Sequence, residues 1–303
     1  MSEYFQLFLN NILPIFLTAG TGYLLAKFFQ INTRTLSNVA FYIFSPCLVF
    51  TLITNTELSN SDIIENILVA ALCILGTGFI TWLIASRLNL SRSMLAAVVI
   101  TSMFVNAGNF GLPVTSFAFG ETALAFASLF FVTNVILTNT VGVVIASMGN
   151  ANLKTAMLNL LKIPTLYGLI LAFLIRQTGW QVPLPIDRSV TILGQASIPT
   201  LMVLLGVQFH SIQLKGKLVP LSLASGMRLL VGPALALVLS ALFGLQGPAR
   251  QATVLQAAMP AAVLNTVLAT QYETEAPFVT AVVVTTTLLS AFTLTPLLAY
   301  LGG

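Results

Sequence analysis

Long apolar runs separated by short polar connectors set the pattern of this chain. Runs such as Ile67–Ala85 and Leu218–Phe243 are continuous rather than alternating, which excludes the period-two strands of a membrane barrel. About ten runs of roughly twenty residues each match the length of a helix crossing a hydrocarbon layer of ~30 Å. Their limits are 5–29, 36–54, 64–86, 92–118, 122–148, 157–177, 187–208, 217–243, 249–270 and 276–300. The first run follows Glu3 rather than a basic segment and outlasts a signal-peptide core. It reads as a span and not as a cleaved leader.

The pattern repeats weakly. Ser45-Pro46-Cys47-Leu48 in the second run answers Ile198-Pro199-Thr200-Leu201 in the seventh. Glu121 opens the fifth run as Glu275 opens the tenth, with Thr133 and Thr287 in register. The shift, from Pro46 to Pro199, is close to half the chain. Each half, 1–150 and 151–303, holds five runs. An odd number of spans per repeat forces the two repeats into opposite orientations, the inverted construction of secondary transporters. The expected fold is an all-α polytopic membrane protein of ten transmembrane helices in two inverted five-helix repeats, forming one membrane unit.

Composition agrees: 57% of the 303 residues are hydrophobic and 7% are charged, with a mean hydropathy of +0.98. A soluble domain carries about 25% charged residues, so most of this chain faces lipid. The net charge of +4 comes from Lys and Arg scattered singly or in pairs, with no basic cluster, so nucleic acid is not an expected partner. These cations instead set topology. With the N-terminus outside, the inner connectors receive Lys27, Arg34, Arg87, Arg92, Lys154, Lys162, Lys215 and Lys217. The outer side receives only Arg176, Arg188 and Arg250. Both termini are expected outside an inner or plasma membrane; Glu273 and Glu275 depart from the pattern, but acids count little in this rule.

Candidate chemistry concentrates in two broken helices. The fourth run contains Phe104-Val105-Asn106-Ala107-Gly108-Asn109-Phe110-Gly111-Leu112-Pro113. Two Asn, two Gly and one Pro within eight residues predict an unwound segment. Such backbone survives at membrane depth only where it is buried in protein or lines a wet cavity. The ninth run holds the counterpart, Gln256-Ala257-Ala258-Met259-Pro260-Ala261-Ala262-Val263-Leu264-Asn265-Thr266, with Pro260 aligned within one residue of Asn106–Ala107 under the repeat. Interrupted helices in matching positions mark a transporter's binding site. Their half-helix N-termini favour an anion such as a carboxylate. Pro14, Pro164 and Pro233 read instead as simple kinks, as do Pro46 and Pro199. Gly20, Gly22, Gly76 and Gly78 read as helix-packing glycines.

Ionisable groups are few inside the spans. Arg228, in Gly226-Met227-Arg228-Leu229-Leu230-Val231-Gly232-Pro233, is the only charged residue well within a run. It attracts an anion, holds helix-end carbonyls together, or snorkels to a lipid headgroup. No Asp or Glu lies mid-span, and His210 sits at a span end, so proton relay through a buried carboxylate is not expected. Metallo- and aspartyl intramembrane proteases need HExxH or paired acids, and neither is present; no enzyme is expected. Cys47 and Cys73 read as small apolar fillers. No metal site and no cofactor is indicated. Span five carries Thr133, Asn134, Thr138 and Asn139, and span ten Thr285, Thr286, Thr287 and Ser290. The threonines read as interhelical hydrogen-bonding groups, while Asn134, costlier to bury, is the cavity candidate.

At these residues the chain resembles the auxin efflux carrier family of permeases, which includes plant auxin carriers and bacterial malate permeases. The resemblance covers nearly the whole chain. Its most specific parts are Asn106–Pro113, the run Arg228-Leu229-Leu230-Val231-Gly232-Pro233-Ala234, and Gln256-Ala257-Ala258-Met259-Pro260 with Tyr272 downstream. It implies spans four and nine crossing at their midpoints, as in sodium/proton antiporter and bile-acid symporter folds. It also implies a scaffold bundle, through which a homodimer forms, and a transport bundle moving elevator-like. The implied substrate is a small organic anion, auxin-like or a mono- or dicarboxylate such as malate. Its site would comprise Asn106, Asn109, Gly111, Pro113, Asn134, Met259, Pro260 and Asn265. Where plant carriers have proline at both crossing points, this chain has Val105 and Asn265. Their long cytoplasmic loop is reduced here to about Gly149–Ala156, so auxin specificity does not carry over. Two rival functions are a sodium-coupled symporter of the bile-acid type and a sensor that binds the anion without moving it.

Overall fold

A computed structural model describes residues 3–147, 158, 160–210 and 218–302. The predicted loop 149–156 with Lys154, and the connector carrying Lys215 and Lys217, lie outside the described residues. Those described are helical, with no strand beyond one isolated bridge. The helices are α1 (Tyr4–Phe28), α2 (Thr33–Asn55), α3 (Asn60–Ala85), α4 (Arg92–Met103) and α5 (Ala107–Ala146). They continue as α6 (Pro164–Thr178), α7 (Leu184–His210), α8 (Leu218–Leu242), α9 (Gly247–Ala257), α10 (Leu264–Gln271) and α11 (Ala276–Leu301). Among the described residues, seven of these are long and apolar enough to cross a membrane: α1, α2, α3, α5, α7, α8 and α11. The predicted runs four and nine appear as short pieces because each is interrupted. The polypeptide turns between runs four and five at Gly120, whose φ of 73° and ψ of −164° break the long α5.

The lower-numbered break is shifted from its predicted place. Unwinding was expected across Asn106–Pro113, but the non-helical residues are Phe104, Val105 and Asn106. Gly108, Gly111 and Pro113 are helical. A proline removes an N–H and crowds the carbonyl four residues back, and here an inserted residue answers both problems. Residues 107–111 form a π-turn in which the Leu112 N–H reaches the Ala107 carbonyl, directly before Pro113. The same device precedes Pro14 (Phe8–Ile12), Pro46 (Ala40–Phe44) and Pro233 (Met227–Val231). These prolines are therefore absorbed as π-bulges with the ladder kept nearly intact. Pro199 lies near the start of the second part of α7, which is interrupted at Ala196.

Close helix contacts depend on particular glycines. α1 and α7 pack backbone to backbone: a Cβ on Gly22 would overlap the Val203 carbonyl, and one on Gly206 the Ala19 carbonyl. Gly76 faces Leu235 and Gly78 faces Met103. Gly20 was expected to pack likewise, but a Cβ there would meet no atom within 4 Å. It projects away from the α1–α7 seam. The threonine expectation holds for Thr286, whose hydroxyl accepts from the Ala261 N–H, but not for Thr133, Thr138 and Thr287, which each donate to the carbonyl four residues back in their own helix. A hydroxyl in an apolar medium finds that acceptor nearest.

Candidate functional site

The two breaks meet. Val105 and Ala261 form an antiparallel bridge, so the residue opposite Val105 is Ala261, not Asn265, the other crossing point the resemblance implied. Asn265 has already re-entered helix α10. Unwound backbone needs partners for every N–H and C=O, and they can be traced almost completely. The Asn106 N–H donates to the Pro260 carbonyl at 2.8 Å, and the Ala262 N–H to the Phe104 carbonyl at 3.0 Å. The Asn134 amide acts as a third strand, accepting from the Val105 N–H at 3.3 Å and donating to the Val105 carbonyl at 3.1 Å. Asn265 Nδ2 donates to the Phe104 carbonyl at 3.1 Å. The Ala261 N–H donates to Thr286 Oγ1 at 3.1 Å. Two carboxamides and a hydroxyl thus replace the lost helical bonds.

Arg228 closes the other side of the crossing. Its side chain is 1% exposed. Nη1 donates to the carbonyls of Ser102 at 2.7 Å and Met103 at 3.2 Å, and Nη2 donates to the Ala257 carbonyl. These carbonyls end α4 and α9, so one guanidinium serves the negative C-terminal ends of both half-helices. Gly232 makes room for it, because a Cβ there would overlap Arg228 Nη2. Of the three roles open to Arg228 in the sequence, these contacts are those of the helix-end clamp.

A cavity of about 610 Å³ opens against the crossing. Asn106, Asn109 and Asn134 line it, with Ala107 and Gly108 from the first turn of α5. Asn106 is 5% exposed, and its Nδ2 has no hydrogen-bond partner. Asn109 Nδ2 donates to Gln208 Oε1 of α7 at 3.2 Å. The remaining predicted residues do not line this cavity. Gly111 lies against the Gln256 amide, where a Cβ would collide. Pro113 and Met259 are buried in the packing, and Pro260 contributes its carbonyl to the crossing. Asn265 is fully buried with Oδ1 unpartnered.

Sequence reasoning missed one wall. Thr33, Arg34, Ser37, Asn38 and Phe41 of α2 line the cavity, as does Gln208. Arg34, Ser37, Asn38 and Phe41 stand at i, i+3, i+4 and i+7, one face of a helix. That polar stripe was legible, but Arg34 served only as a topology marker.

The chain matches the model of the membrane transport protein family over residues 7–298. It belongs to that family. Members similar to it include uncharacterized transporters of Methanothermobacter thermautotrophicus and Methanocaldococcus jannaschii. The first is 27% identical over 94% of this chain and 95% of that protein. The second is 28% identical over 93% and 95%. A protein of Rhizobium meliloti named "Putative malonate transporter" is 27% identical over 95% of this chain and 93% of its own length. Membership agrees with the resemblance drawn from the broken-helix motifs and places the chain among membrane transporters rather than enzymes.

Proposed function

We propose that this membrane transport protein is a secondary carrier of a small organic anion, working by alternating access with the substrate carboxylate at the crossing. The observation that carries the reading is Asn106, which lines a cavity beside the first turn of α5 while its buried Nδ2 has no hydrogen-bond partner. A free amide N–H and a helix N-terminus both favour a carboxylate. No acidic residue appears among the lining residues described. The substrate class is an auxin-like acid or a mono- or dicarboxylate such as malate, and the Rhizobium protein's name adds malonate to the candidates.

Ten spans in two inverted five-helix repeats suit the same geometry. The breaks lie at matching positions and cross antiparallel, and Ser45 Oγ meets Ser197 Oγ at 3.3 Å although the two are 152 residues apart. Under the repeat Ser45 answers Ile198, the neighbour of Ser197, so the contact brings the two matching segments together within one residue of register. In the elevator form of this reading, Arg228 holds α4, α8 and α9 as one moving body. α1, α2, α6 and α7 serve as scaffold and homodimer contact, and both termini lie outside. Arg228 already fills the carbonyl ends that would attract a metal cation, which favours this reading over a sodium-coupled symporter.

The test is a thermal-shift screen of organic acids on purified protein, since a ligand of the folded state raises its apparent stability. Losing a hydrogen bond to a charged group costs about 1.5–3 kcal/mol. Asn106→Ala should therefore weaken binding about ten- to a hundredfold, with the melting temperature of the free protein kept. Undiminished affinity in that variant overturns the crossing as the site. Flux into proteoliposomes separates a carrier from a sensor.

A further inference from the structure

The geometry points to Arg34 as the ligand of a second carboxylate, making the site selective for dianions over monoanions. This rests on the anion-carrier reading above. Arg34 lines the same cavity as Asn106, on the stripe it shares with Ser37, Asn38 and Phe41. Among the described residues its guanidinium has neither an ion pair nor a hydrogen bond. The other arginines with hydrogen bonds use them on the protein itself. Arg228 binds the carbonyls of Ser102, Met103 and Ala257, Arg176 those of Ile53, Thr56 and Leu58, and Arg250 the Tyr300 hydroxyl. Among the described residues Arg92 also lines a cavity without a hydrogen bond, but that cavity shares no lining residue with the one at Asn106, which leaves Arg34 as the arginine that lines the cavity of Asn106 with its donors unspent.

The surroundings carry the same sign. An adjoining cavity of about 340 Å³ shares Phe41, Val135, Leu264 and Val267 with the first and is lined by Lys162. Arg34 and Lys162 lie at one end of the molecule. α2 and α6 run parallel, because Gly168 sits on the Pro46 carbonyl and Arg176 on the carbonyls at the far end of α2. The way out from the crossing thus passes two cations and no described acidic residue. A carboxylate held at Asn106 accounts for one negative charge. A second carboxylate on the same molecule would find the planar fork of Arg34, whose five donors match carboxylate oxygens two at a time. A monoanion gains nothing from Arg34, so the arginine separates the two classes.

The experiment compares uptake of malonate, a dianion, with propionate, a monoanion of equal carbon count. It uses proteoliposomes holding wild type, Arg34→Gln, Arg34→Lys or Asn106→Ala. Arg34→Gln should raise the KM for malonate about tenfold, a typical loss for one charge-assisted pair, while kcat for malonate and both constants for propionate stay put. Arg34→Lys should recover part of the malonate affinity. Unchanged malonate KM in Arg34→Gln, or an equal loss for both substrates, overturns the assignment. Asn106→Ala should weaken both substrates. If it does so while Arg34→Gln leaves selectivity intact, the Arg34 role fails and the crossing site stands. A wild type that moves no malonate overturns the Arg34 role alone; if Asn106→Ala changes neither acid, the crossing site and the Arg34 role fall together.

Discussion

Arg228 shows what a buried charge must do in lipid. A guanidinium without partners would be intolerable there, and unpaired carbonyls at helix ends nearly so. Here the two problems largely cancel, because Ser102, Met103 and Ala257 offer the carbonyls that Nη1 and Nη2 need, and only Nε is left buried without a partner. Removing the side chain orphans those acceptors. Arg228→Met should destabilise the protein by about 3 kcal/mol or more, read as a lowered melting temperature in detergent. Arg228→Lys should fall between the two, since one ammonium cannot span both half-helices as a planar fork does. A wild-type melting temperature for Arg228→Met would show that the clamp contributes nothing.

Among the elements, prolines and glycines do opposite work. Pro14, Pro46, Pro113 and Pro233 each follow a π-turn, so they bend helices without opening them. The opening at Phe104–Asn106 comes instead from partners that outbid the helix: Asn134 for Val105, and Pro260 for Asn106. Glycines set how closely helices approach, and the α1–α7 seam makes a matched test. Gly206→Ala forces a methyl into the Ala19 carbonyl and should cost about 1–3 kcal/mol by overpacking. Gly20→Ala, in the same seam's helix but facing open space, should be neutral or gain up to about 1 kcal/mol from helix propensity. Thermal unfolding of the two variants side by side checks the seam. Equal effects would mean that α1 and α7 do not pack as described.

For the whole molecule, function depends on which charges are built in and which must be supplied. The crossing has its own cation at the half-helix C-termini, and the cavity beside it has donors but no described acidic residue. Uptake of the anion should therefore persist when external sodium is replaced by potassium or choline. A strict sodium requirement would revive the bile-acid-type symporter. Much of this was legible beforehand. Asn106, Asn109 and Asn134, which line the cavity, stood out because amides in lipid contrast with apolar neighbours. Gly111, Pro113 and Met259 came with the resemblance, yet Gly111 and Pro113 are buried in helical turns and Met259 is buried in the packing of the second break. Arg34 was passed over because a cation at a span end is also what topology alone requires.

The sequence by itself determined the solvent, the helical class and the approximate places of the two breaks. These follow from hydropathy, from run length and from residues that lipid punishes locally. Only the tertiary structure decided which residue faces which at the crossing, that Arg228 bridges both broken helices, and that the wall bearing Arg34 looks onto Asn106. Those facts join parts of the chain that are far apart in sequence, from 29 residues for Arg228 and Ala257 to 161 for Asn265 and Phe104. No local pattern encodes such a pairing; it exists only once helices have packed.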